Sequence, residues 1–151
     1  MALSSALCTS FKVELLEGDH DFNNGADAFK VALFKANASI TGTYGAATTN
    51  YSQMTGDSDE LPNGSGYTTG GFALTNVNPT SSSTTAYTDF SANASWASAT
   101  FTTRGCLIYN TSDSNSAVAV IDFGADYSVS GGTFEIQWPT ADASNAIIRI
   151  A

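Results

Sequence analysis

The chain has 151 residues, enough for a single domain that buries a sizeable core without a covalent staple. Charged residues are only 13%, against the usual ~25%, and Ser, Thr, Asn and Gly take their place, a composition of strands, turns and loops rather than long helices. Five Lys and Arg against fourteen Asp and Glu give a net charge of -9, and Lys12, Lys30, Lys35, Arg104 and Arg149 are scattered. That excludes direct nucleic-acid binding and anionic membrane surfaces, which both call for clustered cations.

The N-terminal residues carry no positive segment and no long apolar core, so no signal peptide is expected there. No apolar run approaches the ~20 residues of a membrane span. Leu3, Leu7, Phe11 and Leu15 recur at four-residue steps, with Leu16 beside them, and predict one amphipathic helix over residues 3–17. Ser4 or Ser5 would cap its start, and Gly18 would end it in a left-handed turn. The stripe packs either on the chain's own sheet or on a partner.

A polar loop follows over residues 19–25. In residues 28–35, Phe29, Val31 and Leu33 share one face and the lysines take the other, a half-buried strand. Residues 37–71 show no sustained period; a region of this kind is expected to be a contact surface or flexible arm, with a short strand near Tyr44 or Tyr51. Residues 71–77 and 86–90 read as two strands around a turn at Pro79–Ser83. The longest strand signal comes next: residues 96–110, a turn-forming stretch over 110–116, then the apolar run 117–124, together an antiparallel hairpin. The inward parity changes near Arg104 and Gly105, which predicts a bulge there. Phe134, Ile136 and Trp138 alternate with Glu135 and Gln137 in a further strand that Pro139 stops, and residues 146–150 make the last. About seven or eight short strands with one short N-terminal helix indicate an all-β domain over residues 1–151, an antiparallel β-sandwich or jelly-roll-like barrel.

No catalytic, cofactor-binding or metal-ligating set emerges. His20 is the single histidine; Asp19 and Asp21 flank it, but no nucleophile elbow accompanies it, and it reads as a loop-fixing residue together with Asp21. Cys8 and Cys106 read as two small buried hydrophobes or, alternatively, as one disulfide. Residues 56–60 (Gly-Asp-Ser-Asp-Glu) begin like a calcium loop, yet Pro62 and Thr68 stand where Gly and Glu are needed, so a solvated acidic loop is expected. Gly64–Gly71 lacks the Gly-Lys-Ser/Thr ending of a phosphate loop and reads as a turn into a strand. Tyr44, Tyr51, Tyr67 and Trp96 would suit either core packing or a sugar-stacking surface.

One resemblance runs nearly end to end. It is carried by Phe11-Lys12, Glu14-Leu15-Leu16, Gly18, His20 and Phe22; by Phe29 to Leu33; by Gly66-Tyr67-Thr68 with Gly70-Gly71; and by Trp96, Ala99-Thr100, Arg104-Gly105 and Ile108-Tyr109-Asn110. Ala117 to Val120, Asp122-Phe123-Gly124, Pro139 to Asp142 and Ile148 to Ala151 complete it. The pattern resembles small virion structural proteins of tailed bacteriophages, departing at Trp138 and Cys106, where Phe and a smaller residue are expected. The resemblance implies a non-enzymatic structural role on the outer capsid surface after synthesis in the bacterial host cytoplasm. A capsid decoration (cement) protein, commonly a homotrimer bound to the major capsid protein, is the first expectation. A neck, tail or fibre-base protein and a carbohydrate-binding surface module are the alternatives. The N-terminal helix and residues 37–71 are the parts expected to meet neighbours.

Overall fold

A computed structural model describes residues 2–151. The chain is strand-rich, 45% strand and 12% helix, in several antiparallel sheets. In order, the elements are β1 (Ala2–Leu3), β2 (Ala6–Leu7), α1 (Thr9–Glu17), β3 (Phe29–Leu33), β4 (Thr43–Tyr44), α2 (Tyr51–Gly56), β5 (Phe72–Ala73), β6 (Thr80–Ser82), β7 (Thr85–Thr88), β8 (Ala94–Asn110), β9 (Ser116–Ile136) and β10 (Ile148–Ile150). The main sheet runs β2-β9-β8-β3-β5; β10-β7-β6 form a second, and β1 pairs with β4 in parallel. The barrel expectation is corrected: the strands divide among separate sheets and none closes on itself. The helix count is corrected too, because α2 adds a second helix inside the region read as a loop.

The hairpin β8–β9 is longer than the pattern suggested. The separate strand expected at residues 133–138 is the far end of β9, where Trp96 faces Phe134 across the ladder. Pairing breaks where the parity change put it. Thr103 faces Tyr127 and Gly105 faces Asp122, so β9 carries the extra residues opposite Arg104, around Gly124 at φ 80°. Gly105 itself is extended and crowded: a Cβ there would lie 2.3 Å from the Ile121 carbonyl oxygen. A second irregularity at Gly131 (φ 64°) lies opposite Ala99 and Thr100. Bulges of this kind twist a long edge away from further pairing. The accessible surface is 7049 Å², close to the ~7,200 Å² expected of a monomer this size.

The helix prediction overshoots at its start. Leu3 and Leu7 lie in β1 and β2, and α1 begins at Thr9. Leu7 pairs with Ala119, and the Cys8 N–H donates to the Val118 carbonyl at 2.9 Å. Sheet pairing at the β9 edge outweighs the modest helical preference of six residues, since short helices are marginal without packing. Ser5 does not cap α1; its hydroxyl accepts from the Asp122 N–H at 2.9 Å. Gly18 does end the helix, with φ 88°. Phe11 alone on α1 is fully buried, while Leu16 is 89% exposed.

Residues 37–71 are corrected from a flexible arm to part of the core. Asn50 and Gln53 form a reciprocal capping box that starts α2, and Tyr44, Met54, Leu61 and Tyr67 are buried. The strand near Tyr44 is present as β4. The two strands expected at residues 71–77 and 86–90 meet antiparallel only in a short bridge, where Asn76 faces Phe90 and the Val77 and Ser91 N–H groups donate to the Asp89 and Thr75 carbonyls at 2.8 and 2.9 Å; beyond it β5 joins β3 in the main sheet, whereas β7 pairs with β6 and β10. An aromatic cluster lies at the heart of the fold. Phe22 stacks on Phe29 at 4.4 Å, Phe90 lies 6.2 Å from Phe29, and Trp138 lies 5.4 Å from Phe90.

Candidate functional site

Three polar clusters and one open groove stand out among the described residues. The first surrounds His20, whose ring lies 5.0 Å from Phe11 and is buried at 7% exposure. Its Nε2 is 3.0 Å from Glu14 Oε2, and its Nδ1 is 2.9 Å from Asn110 Nδ2. Asn110 cannot turn over, because its Oδ1 accepts from the Ser112 and Asp113 N–H groups at 2.9 and 3.2 Å. Its Nδ2 must therefore donate, to His20 Nδ1 and to Asp27 Oδ2 at 2.8 Å. The network assigns the Nε2–H tautomer, with Nε2 donating to Glu14. Both ring nitrogens thus serve internal bonds that tie α1, the 19–28 loop and the hairpin turn together, and Asp21 fixes the loop by accepting from Asn23 N–H at 2.9 Å.

Oxygens of Glu14 and Asp113 and a nitrogen of His20 all lie within 4.8 Å of one another. The set is a poor cation site. A metal on Nε2 would require Nδ1 to carry the proton, and Nδ1 faces an amide donor that two backbone bonds hold in place.

The second and third clusters are the residues read as a solvated acidic loop, and that reading is corrected: Asp59 and Glu60 are buried at 0% and 7% exposure. Asp59 accepts from the N–H groups of Thr41 and Gly42 at 2.9 and 2.8 Å. Tyr44 Oη stands 2.8 Å from Asp59 and 2.9 Å from Asp57, and its one proton serves one carboxylate at a time. Burial pushes the Asp59 carboxyl up, but its backbone, Tyr44 and Thr41 donors outweigh that and leave it below the usual carboxylate range. Glu60 sits in a tyrosine cage. Tyr51 Oη donates at 2.5 Å; Tyr67 Oη and the Gly70 N–H each donate at 2.7 Å. Tyr67 Oη also accepts from the Leu33 N–H at 3.0 Å, and Tyr109, stacked 4.4 Å from Tyr51, donates to the Gly70 carbonyl at 2.7 Å. Burial first, and the Glu60 charge second, push the Tyr67 and Tyr109 phenols well above their ordinary value.

Neither cysteine is placed for chemistry. Both are free and buried; burial, then the Glu14 charge, pushes the Cys8 thiol up to about 11, and burial raises Cys106 as well. Gly64–Gly71 is the expected turn: Gly66, Gly70 and Gly71 all have positive φ, and it delivers Tyr67 to the core and the chain to β5. Tyr44, Tyr67 and Trp96 are 2%, 2% and 6% exposed, so none offers a free face to a sugar ring.

The groove was missed from sequence. It is an open cavity of about 390 Å³ along the outer half of β9, lined by Phe123, Tyr127, Phe134, Ile136 and Trp138 with Ile147 opposite. Tyr127 is 53% exposed, and Glu135 is the charged residue in its wall. The signal available was the alternation of Phe134, Ile136 and Trp138, which reads as core; only the pairing shows that this end of the sheet is half covered. Comparison with known proteins adds no relative: no family model matches the chain, and neither a curated protein nor a solved structure does.

Proposed function

We propose that the chain is a structural, non-catalytic component of a tailed bacteriophage particle, and among such components a capsid decoration protein that binds the outer shell and holds neighbouring subunits. The groove along β9 is the observation that carries this reading: a line of half-covered aromatic and aliphatic side chains with almost no charge is the composition of a protein contact. The polar clusters support it from the other side. The His20, Asp59 and Glu60 hydrogen bonds close on the protein itself, so these groups serve as fasteners rather than as reagents. Exposed Val13 and Leu16 on α1 extend the apolar surface available to neighbours. We read the main sheet and the β10-β7-β6 sheet as the two layers of a sandwich, joined through Phe29, Phe90 and Trp138. Many copies on one shell would multiply a modest contact energy.

Sedimentation of the purified protein, followed by mixing with empty capsids, tests the reading. A closed trimer that binds the shell, and binds it less well as Tyr127→Ser, is the expected result. A larger ring bound to tails moves the protein to the neck or tail. Turnover of a reagent by the isolated monomer overturns the proposal.

A further inference from the structure

The loop between α1 and β3 carries oxygen donors at alternate positions, Asp21, Asn23 and Asp27, around Gly25 at φ 87°. Alone that spacing proves nothing. Asn76, 6% exposed, lines a cleft of about 350 Å³ together with residues 24–28, Leu74 and Thr75, and its Oδ1 has no hydrogen-bond partner. The amide cannot be turned over to cure this. Its Nδ2 donates to the Asp27 carbonyl at 3.0 Å and approaches the Asn23 carbonyl at 3.5 Å, and reversal would set oxygen against oxygen. A buried acceptor without a donor is costly and rare, and an ion or an ordered water is its ordinary partner. Asp27, in the same lining, uses Oδ2 for the Asp21 N–H and Asn110 Nδ2, while its Oδ1 makes no hydrogen bond among the described residues.

We propose that this cleft binds a calcium ion, with Asn76 Oδ1, the Asp27 carboxylate and backbone carbonyls of the loop as ligands and water completing the shell. Oxygen-only donors on an irregular loop suit a hard cation of variable coordination, and magnesium, which needs a near-ideal octahedron, suits the cleft less well. One carboxylate makes a weak site, with a dissociation constant on the order of 10⁻⁴–10⁻³ M. The net charge of -9 favours any cation nearby. The proposal stands apart from the phage reading, since it concerns this cleft alone.

Calorimetric titration of the full chain with calcium chloride, with magnesium chloride as control, decides it. Calcium should give a saturable signal, and magnesium a binding constant at least about tenfold weaker. Asp27→Asn should lose the signal. Asn24→Asp, at an exposed lining position that leaves the core untouched, should tighten binding about tenfold by adding a second carboxylate, and it keeps the test decisive should Asp27→Asn fail to fold. No signal at millimolar calcium, equal binding of magnesium, or an affinity that Asn24→Asp leaves unchanged overturns the proposal.

Discussion

Removing one oxygen from Tyr67 tests whether the Glu60 cage holds the fold. In Tyr67→Phe the ring keeps its contacts with Trp96 and Phe101, both at 6.2 Å between centroids, so little packing changes. Two hydrogen bonds vanish: the one donated to Glu60 at 2.7 Å, and the one accepted from the Leu33 N–H at 3.0 Å. A hydrogen bond to a charged group is worth about 1.5–3 kcal/mol, and a buried N–H left without an acceptor costs about 1–3 kcal/mol. The two overlap through local relaxation, so a loss of about 3 kcal/mol is expected out of a total of about 5–15. For a domain of this size that lowers the melting temperature by roughly 6–12 °C, read by near-ultraviolet dichroism and cross-checked by urea unfolding. Tyr87→Phe, at a half-buried residue whose hydroxyl makes no hydrogen bond, is the control and should move stability by less than about 0.5 kcal/mol. A loss below about 1 kcal/mol in Tyr67→Phe refutes the account, because the cage would then be water-like in its energetics.

Three further outcomes follow from the same structure. Gly71→Ala should fail to fold: φ is +77°, and the new methyl would lie 1.9 Å from the Val31 carbonyl oxygen on a central strand, so soluble expression with a native circular dichroism spectrum would count against the backbone described. Asn110→Asp should cost about 3 kcal/mol by removing both Nδ2 donations and setting a carboxylate beside Asp27 and His20 Nδ1, and nitrogen NMR of the unaltered protein should show the Nε2–H tautomer of His20. The folded pKa of Asp59 is lowered, so its stabilisation is complete above the unfolded value of about 3.9 and is lost as pH falls through the folded one; Asp89, raised by burial against the N–H bonds of Phe90 and Ile147, runs the other way and stabilises only at acid pH. Urea midpoints taken below pH 5 should therefore fall more steeply in the unaltered protein than in Asp59→Asn; equal slopes would remove Asp59 as the cause.

The strands that the sequence announced most clearly are those whose pattern is enforced by burial alone. β3 and the half of the β8–β9 hairpin next to its turn alternate or run apolar because they lie in the middle of the main sheet, and the break near Gly105 shows as a parity change because the inward face has to be recovered across it. The second half of β9 was legible only at its end. Tyr127 to Ser130 carry little strand signal, yet they pair with Thr103 to Thr100 on β8 whatever their side chains prefer, while Gly124, Ala125, Asp126 and Gly131 have no register partner there and make the bulges. Leu3 and Leu7 misled in the opposite sense. Two leucines at helical spacing are also two leucines on separate short strands, and periodicity cannot tell which until the β9 edge is known to need a partner.

Residues 37–71 show where pattern reading stops for a physical reason. Hydrophobic period reports burial only when what is buried is apolar, and this segment buries two carboxylates and a set of tyrosines instead. Asp59 and Glu60 beside Ser58 look like a wetted acidic loop because composition carries no record of the donors that converge on them from Thr41, Gly42, Tyr44, Tyr51, Tyr67 and Gly70. Those donors come from positions up to 18 residues away, so no local motif could have announced them. Such an arrangement is costly if half made and rigid when complete, because a buried charge missing one partner loses far more than one ordinary bond. The converging donors therefore hold this segment in one geometry rather than lending it mobility, and the apolar side chains left half covered or exposed lie along β9 and α1.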